Sequence, residues 1–361
     1  MPRRPAKLSN CYVPLPLPSR DNDIDDADGT TGTNPNENDA SSSSNSSQQR
    51  RPDGRSAGHE LRRLCLESSV ISKAMGSSLV ELGHTKVLAE AHIAAMSGSR
   101  NNSNTKSSIS NNEATSDIGS LKCSVAYAPH IGINQVSQQS LSVTPLDGSS
   151  GNHHQNNDST KATAVTISAG KLNQELSMRE SDLSRRLTAA LLPVVILEKY
   201  PKCTVVVTIT VLQDDGSCLS AAITAASMAL VDAQIELRDV VTSCTVAVVE
   251  KAAASSNNNA DNDDDSDDDD EDRWVYLADP TQHEVTSAAS VSVALICLAM
   301  TPNHKEVTLW SQSGRLSSEM ASQAMELCRD GCRTMHKFMR ESWISSAAAA
   351  SSDDAEMTTK Q

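Results

Sequence analysis

The residues best suited to chemistry fall in a few short stretches spread along the chain. Asp214-Asp215-Gly216-Ser217 leads into a run of small and apolar residues at 221–233 that reads as a buried helix. The N–H groups of a helix's first turn lack intrahelical partners and carry the positive end of its dipole, so Gly216 and Ser217 form a candidate phosphate site. In the competing reading Ser217 is a helix cap bonding its own backbone. The carboxylates of Asp214 and Asp215 would also oppose an anion. Arg50, Arg51, Arg55, Arg62 and Arg63 form a basic cluster suited to RNA contact through phosphates without base reading. Its alternative is a turn and a strand face with scattered charges. Cys328, Cys332 and His336 recur at four-residue steps, a helical spacing that could chelate zinc. On an apolar stripe that spacing reads as core instead, and no metal site is assigned.

The elements that must position these residues are legible from periodicity. Segments 61–71, 85–93, 121–127, 203–212, 243–250, 274–278, 291–300 and 305–310 are short, rich in Val, Ile, Leu and Thr, and bounded by Gly, Pro or Asp, which predicts strands. Leu183, Leu187, Ala190, Leu191 and Val194 repeat at helical spacing, with Pro193 placed to shorten the last turn. A third helix is expected at 317–343, with Ser317 as N-cap and Glu319 suited to the positive end of its dipole. Strands in runs with helices between them predict an α+β domain.

Composition limits how much of the 361 residues can fold. Residues 97–118, 130–163 and 251–272 are mostly Ser, Asn, Asp, Thr, Gly and Ala, too polar to offset the entropy of ordering. The expected organisation is a disordered tail at 1–49, one domain at 50–344 with those three insertions, and a disordered tail at 345–361. Two small domains joined by 251–272 would leave the strand-rich pieces without partners. The net charge of −15 comes from two tracts, five Asp in 21–28 and nine Asp plus one Glu in 261–272. The remainder is electrically balanced, so the acidic character does not exclude RNA as a ligand. Nine cysteines without a C-x-x-C pair point to a reducing compartment rather than a disulfide framework. No signal peptide is read at the N-terminus. The longest largely apolar run, 291–300, is about half of what a membrane span needs, so a soluble protein is expected.

Three motifs read together carry a resemblance. Arg51-Pro-Asp-Gly-Arg55, then Gly76-Ser-Ser-Leu-Val-Glu-Leu-Gly-His-Thr-Lys-Val87, then Val211-Leu-Gln-Asp-Asp-Gly-Ser217 with its following helix occur in an order that resembles the RNase PH family. The resemblance implies an RNase PH-like α+β fold of two related sheet-and-helix halves. Family members are phosphate-dependent exoribonucleases, or inactive relatives that build the six-membered ring of the RNA exosome. It also implies sites. A second phosphate contact would fall on Met178 or Arg179, before a helix starting near residue 180. Asp279, in Leu277-Ala-Asp-Pro-Thr-Gln-His-Glu284, matches the first of two acids that hold a metal or donate a proton, and the slot of the second is filled by Ser290. The strand at 121–127, which in active ring subunits carries Arg toward the bore, has Ser124 and Ala126 there, beside a lone Lys122. The segment at 277–281, the missing acid and the helix at 326–332 are most like the mRNA-transport-regulator type of exosome subunit.

These implications add up to a non-catalytic ring subunit, with Asp279 vestigial, no catalytic residue and no cofactor. Its expected partners are other RNase PH-like ring subunits, an exosome cap protein and RNA, the last weakly or through the complex, in nucleus, nucleolus and cytoplasm. The alternative is an active phosphate-dependent 3′-to-5′ exoribonuclease using Mg²⁺.

Overall fold

The computed structural model describes residues 11–12, 51–55, 58–95, 118–129, 169–250, 274–287 and 293–358. Apart from 11–12 and 118, the stretches expected to be disordered at 1–49, 97–118, 130–163 and 251–272 lie outside the described residues, as does Ser290. Among the described residues no helix is long and apolar enough to cross a membrane.

Two sheets form. The first contains β1 (Cys11–Tyr12), β2 (Leu64–Ser68), β3 (Gly76–Leu82), β4 (Thr85–Ala95), β5 (Ser120–Tyr127) and β6 (Cys203–Gln213), in the order β1-β2-β3-β4-β6-β5. All neighbours are antiparallel except β5 and β6. The second contains β7 (Thr242–Glu250), β8 (Trp274–Ala278), β9 (Val293–Thr301) and β10 (Glu306–Ser313), in the order β10-β9-β7-β8, wholly antiparallel. The helices are α1 (Ala169–Leu191), α2 (Cys218–Asp232), α3 (Gln282–Ser287) and α4 (Ser318–Thr358).

Helix α2 lies between the sheets, touching β3, β4 and β6 on one side and β7 and β9 on the other. That is why residues 218–230 are all buried and why the sequence there is built of small residues. Helix and sheet approach so closely that a Cβ on Gly76 would stand 2.1 Å from the Ala233 nitrogen. Alternation along β7 divides the second sheet. Cys244, Val246 and Val248 form a separate cluster with Ala324, Cys328 and Cys332 of α4, whereas Cys297 and Ala299 of β9 join the core around α2. The layers are therefore first sheet, α1 and α2, second sheet, and the first part of α4.

Several expectations need correction. The strand expected at 61–71 is confined to β2, ended by Ser69 in a left-handed conformation at φ 58°. Strand β3 lies inside the motif at 76–87 and is not expected as a separate strand; its Gly-Ser-Ser start hides a buried apolar alternation that begins at Val80 and Leu82. Residues 11–12, read as tail, pair with Cys65 and Leu64. Helix α1 starts at Ala169, well before 180, and ends at Leu191 ahead of Pro193. Helix α4 continues through 345–358, also read as tail, because the four alanines at 347–350 are strong helix formers whatever they bury. Ser317 caps as expected, its Oγ accepting the Met320 N–H at 3.2 Å.

Candidate functional site

Three segments converge at one corner of the fold. They are the stretch 51–62 that leads to β2, the turn 214–217 between β6 and α2, and the segment 278–284 that joins β8 to α3. Each contributes a feature that only the others satisfy.

The turn supplies backbone. Gly216 (φ 93°) and Ser217 (φ 55°) are consecutive left-handed residues. A Cβ on Gly216 would stand 2.6 Å from the Pro280 carbonyl oxygen, so glycine is required both by conformation and by space. The Asp215 N–H donates to Thr85 Oγ1 at 3.0 Å and the Gly216 N–H to Asp214 Oδ1 at 3.1 Å. The Gly216 carbonyl accepts from Thr85 Oγ1 at 2.7 Å and Arg62 at 3.1 Å. Ser217 makes no side-chain cap; its Oγ donates to the Pro280 carbonyl at 3.3 Å. The turn thus lacks the expected serine cap. Two of its N–H groups are spent within the chain, two carboxylates flank it, and its serine ties α2 to the 278–284 segment.

That segment supplies acids. Asp279 follows β8 directly, ahead of Pro280, and at φ 48° it donates its N–H to the Thr245 carbonyl at 2.8 Å. Its carboxylate points inward, 4% exposed as a residue. Arg62 meets it with Nη2 at 2.7 Å and Nε at 2.8 Å, and the Arg62 N–H adds a bond at 3.2 Å. Burial alone would raise this carboxyl, but the charge and hydrogen bonds of Arg62, with the charge of Arg55, hold it down at about 2. Glu284 repeats the arrangement. Arg51 binds it at 2.6 and 2.8 Å, Arg55 lies at 3.5 Å, and the Thr281 N–H donates at 2.8 Å. Burial again works against the charged form, and the bonds from Arg51 and Thr281 outweigh it, so the carboxyl is lowered.

The stretch 51–62 supplies the cations. Besides Glu284, Arg51 donates to the carbonyls of Gly58, Glu60 and Ala278. Arg55 pairs with Asp53 at 2.6 Å and donates to the carbonyls of Glu60, Ala278 and Asp279. Burial and the neighbouring Arg51 charge lower the Arg55 guanidinium, whereas Asp279 raises Arg62 despite its burial. With side chains only 5%, 9% and 4% exposed, Arg51, Arg55 and Arg62 do not present the free guanidinium groups that RNA contact requires. Arg63 is exposed, and Arg50 lies outside the described residues.

The remaining candidates lie elsewhere. Arg179 and Met178 are exposed in the interior of α1 rather than ahead of a helix start. What that helix brings to β5 is Glu180 and Ser184, which accept the N–H groups of Tyr127 and Val125 at 2.9 and 2.8 Å. Ser124 is half-buried, and Ala126 and Lys122 are exposed on β5. Cys328 and Cys332 sit in the core beside Cys244. A hydrogen bond to Cys244 and burial push the Cys328 thiol up, and burial does the same for Cys332. Half-buried His336 is lowered by burial.

Sequence reasoning missed the mutual occupation of the acids and arginines. A signal was present, because Arg51, Arg55 and Arg62 precede the first sheet as a group while Asp279 and Glu284 flank a proline turn at the end of β8. Unlike charges grouped in two ordered, poorly solvated segments, three arginines against two acids, invite pairing across the fold.

Comparison with known proteins gives a consistent picture. Residues 60–236 match RNase PH, described as the 3′ exoribonuclease family, domain 1. The chain is 26% identical over 300 residues, 83% of its length and 86% of the relative's, to the exosome complex component RRP41-like of Arabidopsis thaliana. It is 30% identical over 169 residues to the human exosome complex component MTR3, covering 46% of this chain and 53% of that one. An exosome complex component Rrp41 from Methanopyrus kandleri is 29% identical over 162 residues, covering 45% of this chain and 56% of the relative. The chain thus spans little more than half of the human and archaeal relatives. Among solved structures, rice (Oryza sativa) Rrp46 superposes with a TM-score of 0.51 at 18% identity, covering 80% of this chain and 98% of that one, which supports the fold. Relatives of both names match at similar identity, so the particular resemblance to the mRNA-transport-regulator type is a weak fit.

Proposed function

The chain belongs to the RNase PH family, and from that premise we propose that it is a non-catalytic subunit of an RNA exosome ring. It would support 3′-to-5′ RNA processing and degradation by holding ring neighbours and a cap protein, meeting RNA weakly or through the complex. Nucleus, nucleolus and cytoplasm are the compartments that go with this role.

One observation carries the non-catalytic part: both oxygens of the buried Asp279 carboxylate are taken by Arg62. A residue in that place could serve phosphorolysis in two ways. It could hold Mg²⁺, but the ion would have to displace a bidentate guanidinium from a site closed to water. It could donate a proton to the leaving oxygen, but an acid held at about 2 is ionised at neutral pH and has no proton to give. Glu284 is engaged in the same manner by Arg51. The partner role is supported by the relatives, which are exosome complex components from plant, human and archaeal sources.

The test has two arms. The purified chain, given single-stranded RNA, inorganic phosphate and Mg²⁺, is expected to release no nucleoside diphosphates. Release that disappears in an Asp279→Asn variant of unchanged circular dichroism would sink the inactive reading. Co-expression with other RNase PH-like subunits is expected to give a discrete complex by size-exclusion chromatography with light scattering. A well-behaved monomer that ignores every such partner would remove the ring.

A further inference from the structure

The corner lies at the N-terminal end of α2, and a second concave site lies at the other end. A groove of about 460 Å³ opens between the stretch 231–240 that leads from α2 to β7, the turn joining β9 to β10, and the second half of α4. Its volume is in the range of small-molecule sites. Val231, Ile235, Leu237 and Val240 line it with apolar surface, and half-buried Trp343 of α4 adds an aromatic wall.

The state of the polar groups decides which charge the groove can take. The Asp239 side chain is 3% exposed and its carboxylate is spent. It accepts the N–H groups of Val240, Asn303 and His304 and the Asn303 amide Nδ2 at 2.8 Å, and it lies 3.2 Å from His304 Nδ1. Burial would raise this carboxyl, and the bonds from Asn303, Val240 and His304 outweigh it. Glu236 is paired with Lys199. An aromatic ring beside two carboxylates would suit a cation, but both acids are already engaged. The unspent groups favour a different ligand. Asn303 is fixed through its Nδ2, and its amide oxygen has no donor among the described residues. Gln234, held at φ 57° just past α2, brings an exposed amide with no partner among them either. Half-buried His336 is lowered by burial despite the charge of Asp239, so its ring is neutral at pH 7 and can donate or accept. On the rim, Arg340 stands on α4 between His336 and Trp343, one helical turn from each, and Lys305 follows His304. Both cations are exposed, and neither side chain has a hydrogen bond or ion pair among the described residues.

We propose that this groove binds a nucleotide, with the base stacked on Trp343, its edge at Asn303 and Gln234, and its phosphate at Arg340 and Lys305. Aromatic stacking, amide contacts to a base edge and cations outside are what an unstacked nucleotide needs. A free mononucleotide and one nucleotide of a single strand share that chemistry. The site stands apart from the ring reading and from the turn at 214–217, which the fifteen residues of α2 set about 22 Å away.

Titration calorimetry and tryptophan fluorescence of the full chain test this, with AMP, adenosine, inorganic phosphate and a short oligoadenylate as probes. AMP is expected to bind with a saturable quench, more tightly than adenosine or phosphate alone. Trp343→Ala should cost roughly tenfold in AMP affinity, whereas Trp343→Phe should keep the affinity and lose the quench. Arg340→Glu changes an exposed, unbonded side chain, so it should leave the fold and adenosine binding intact and weaken AMP roughly tenfold. If Trp343→Ala fails to fold, Trp343→Phe and Arg340→Glu decide. An oligoadenylate that outbinds AMP and loses the excess in high salt identifies an RNA strand as the source; one that binds no better identifies a free nucleotide. Absence of heat and quench with both AMP and oligoadenylate at millimolar concentration would overturn the proposal. Binding that Arg340→Glu and both Trp343 variants leave unchanged, quench included, would lie elsewhere and overturn it too. Inert nucleotides together with loss of a co-expressed RNase PH-like subunit in Arg340→Glu would make the groove a protein contact, so the nucleotide site would fall while the ring stood.

Discussion

Two carboxylates in this molecule are each held by two arginines, in opposite surroundings. Glu284 binds Arg51 at 2.6 Å and Arg55 at 3.5 Å with its side chain 4% exposed. Asp182 binds Arg185 and Arg186 at 2.7 Å each with its side chain 36% exposed. Distances do not rank them, because the charges and contacts are alike. The difference is what happens when a partner leaves. Water takes its place beside Asp182, on the surface of α1, so little is lost. At the corner the side chains of Glu284 and Asp279 are buried, 4% and 5% exposed, and a carboxylate stripped of its arginine would be a buried, unpaired charge. The corner pairs also join residues more than two hundred positions apart, whereas the α1 pairs join neighbours on one helix.

The contrast is broken most severely at Arg62. Its guanidinium bridges the acid at the end of β8 and the carbonyls of Asp215 and Gly216. Arg62→Ala is expected to destabilise the chain by about 3–5 kcal/mol, since it strands a buried carboxylate. Chemical denaturation monitored by circular dichroism measures the loss. A double change, Arg62→Met with Asp279→Asn, removes both charges and should recover part of it. A loss below that of an ordinary surface substitution would mean that the corner is wetter than its burial indicates.

Acid sharpens the same comparison with a smaller effect. The folded value of about 2 for Asp279 lies below its ordinary 3.8, so the unfolded chain takes up a proton first as pH falls. The stability it contributes is present above about pH 4 and is lost as pH drops through about 2. Glu284, lowered from 4.5, acts with the same sign. Unfolding midpoints measured across this window should show wild type more stable than Asp279→Asn at neutral pH, with the gap narrowing steadily in acid. A gap that is flat with pH would detach Asp279 from the ion pair.

How far the corner could be read from sequence follows from the same physics. Strands β4, β6, β7 and β8 were placed within about two residues because alternation and flanking Gly, Pro or Asp are local signals. Helix α2 was legible because a helix buried on all sides has to be small and apolar throughout. The motif holding Arg51 and Arg55 and the segment holding Asp279 and Glu284 were each picked out, yet with roles assigned singly: arginines to RNA, acids to a metal. Ion pairing across more than two hundred residues leaves no periodic trace, and a residue's charge does not say whether it faces water. The same blindness explains Arg179. Leu172 and Leu176 carry the leucine spacing back toward Ala169, but they stand among Lys, Asn, Gln, Glu and Ser, a weaker apolar stripe than the one from Leu183, which is where the expected helix begins.

The mildest test lies on α1 itself. Asp182 precedes Arg185 and Arg186 by three and four positions, an acid-before-base order that suits both side-chain reach and the helix dipole. The hydrogen bond from Arg185 and the charge of Arg186 lower its carboxyl even though burial there opposes the shift. Arg185 is 80% exposed, however, and Arg186 has a second partner in Ser311 of β10 at 2.6 Å. Arg185→Ala is therefore expected to change stability by less than about 0.5 kcal/mol and to lose even that in high salt. Arg186→Ala should do slightly more, because it also releases the link between α1 and β10. If Arg185→Ala instead rivalled Arg62→Ala, the rank order argued from solvent access would fail, and charge count rather than burial would govern the ion pairs of this fold.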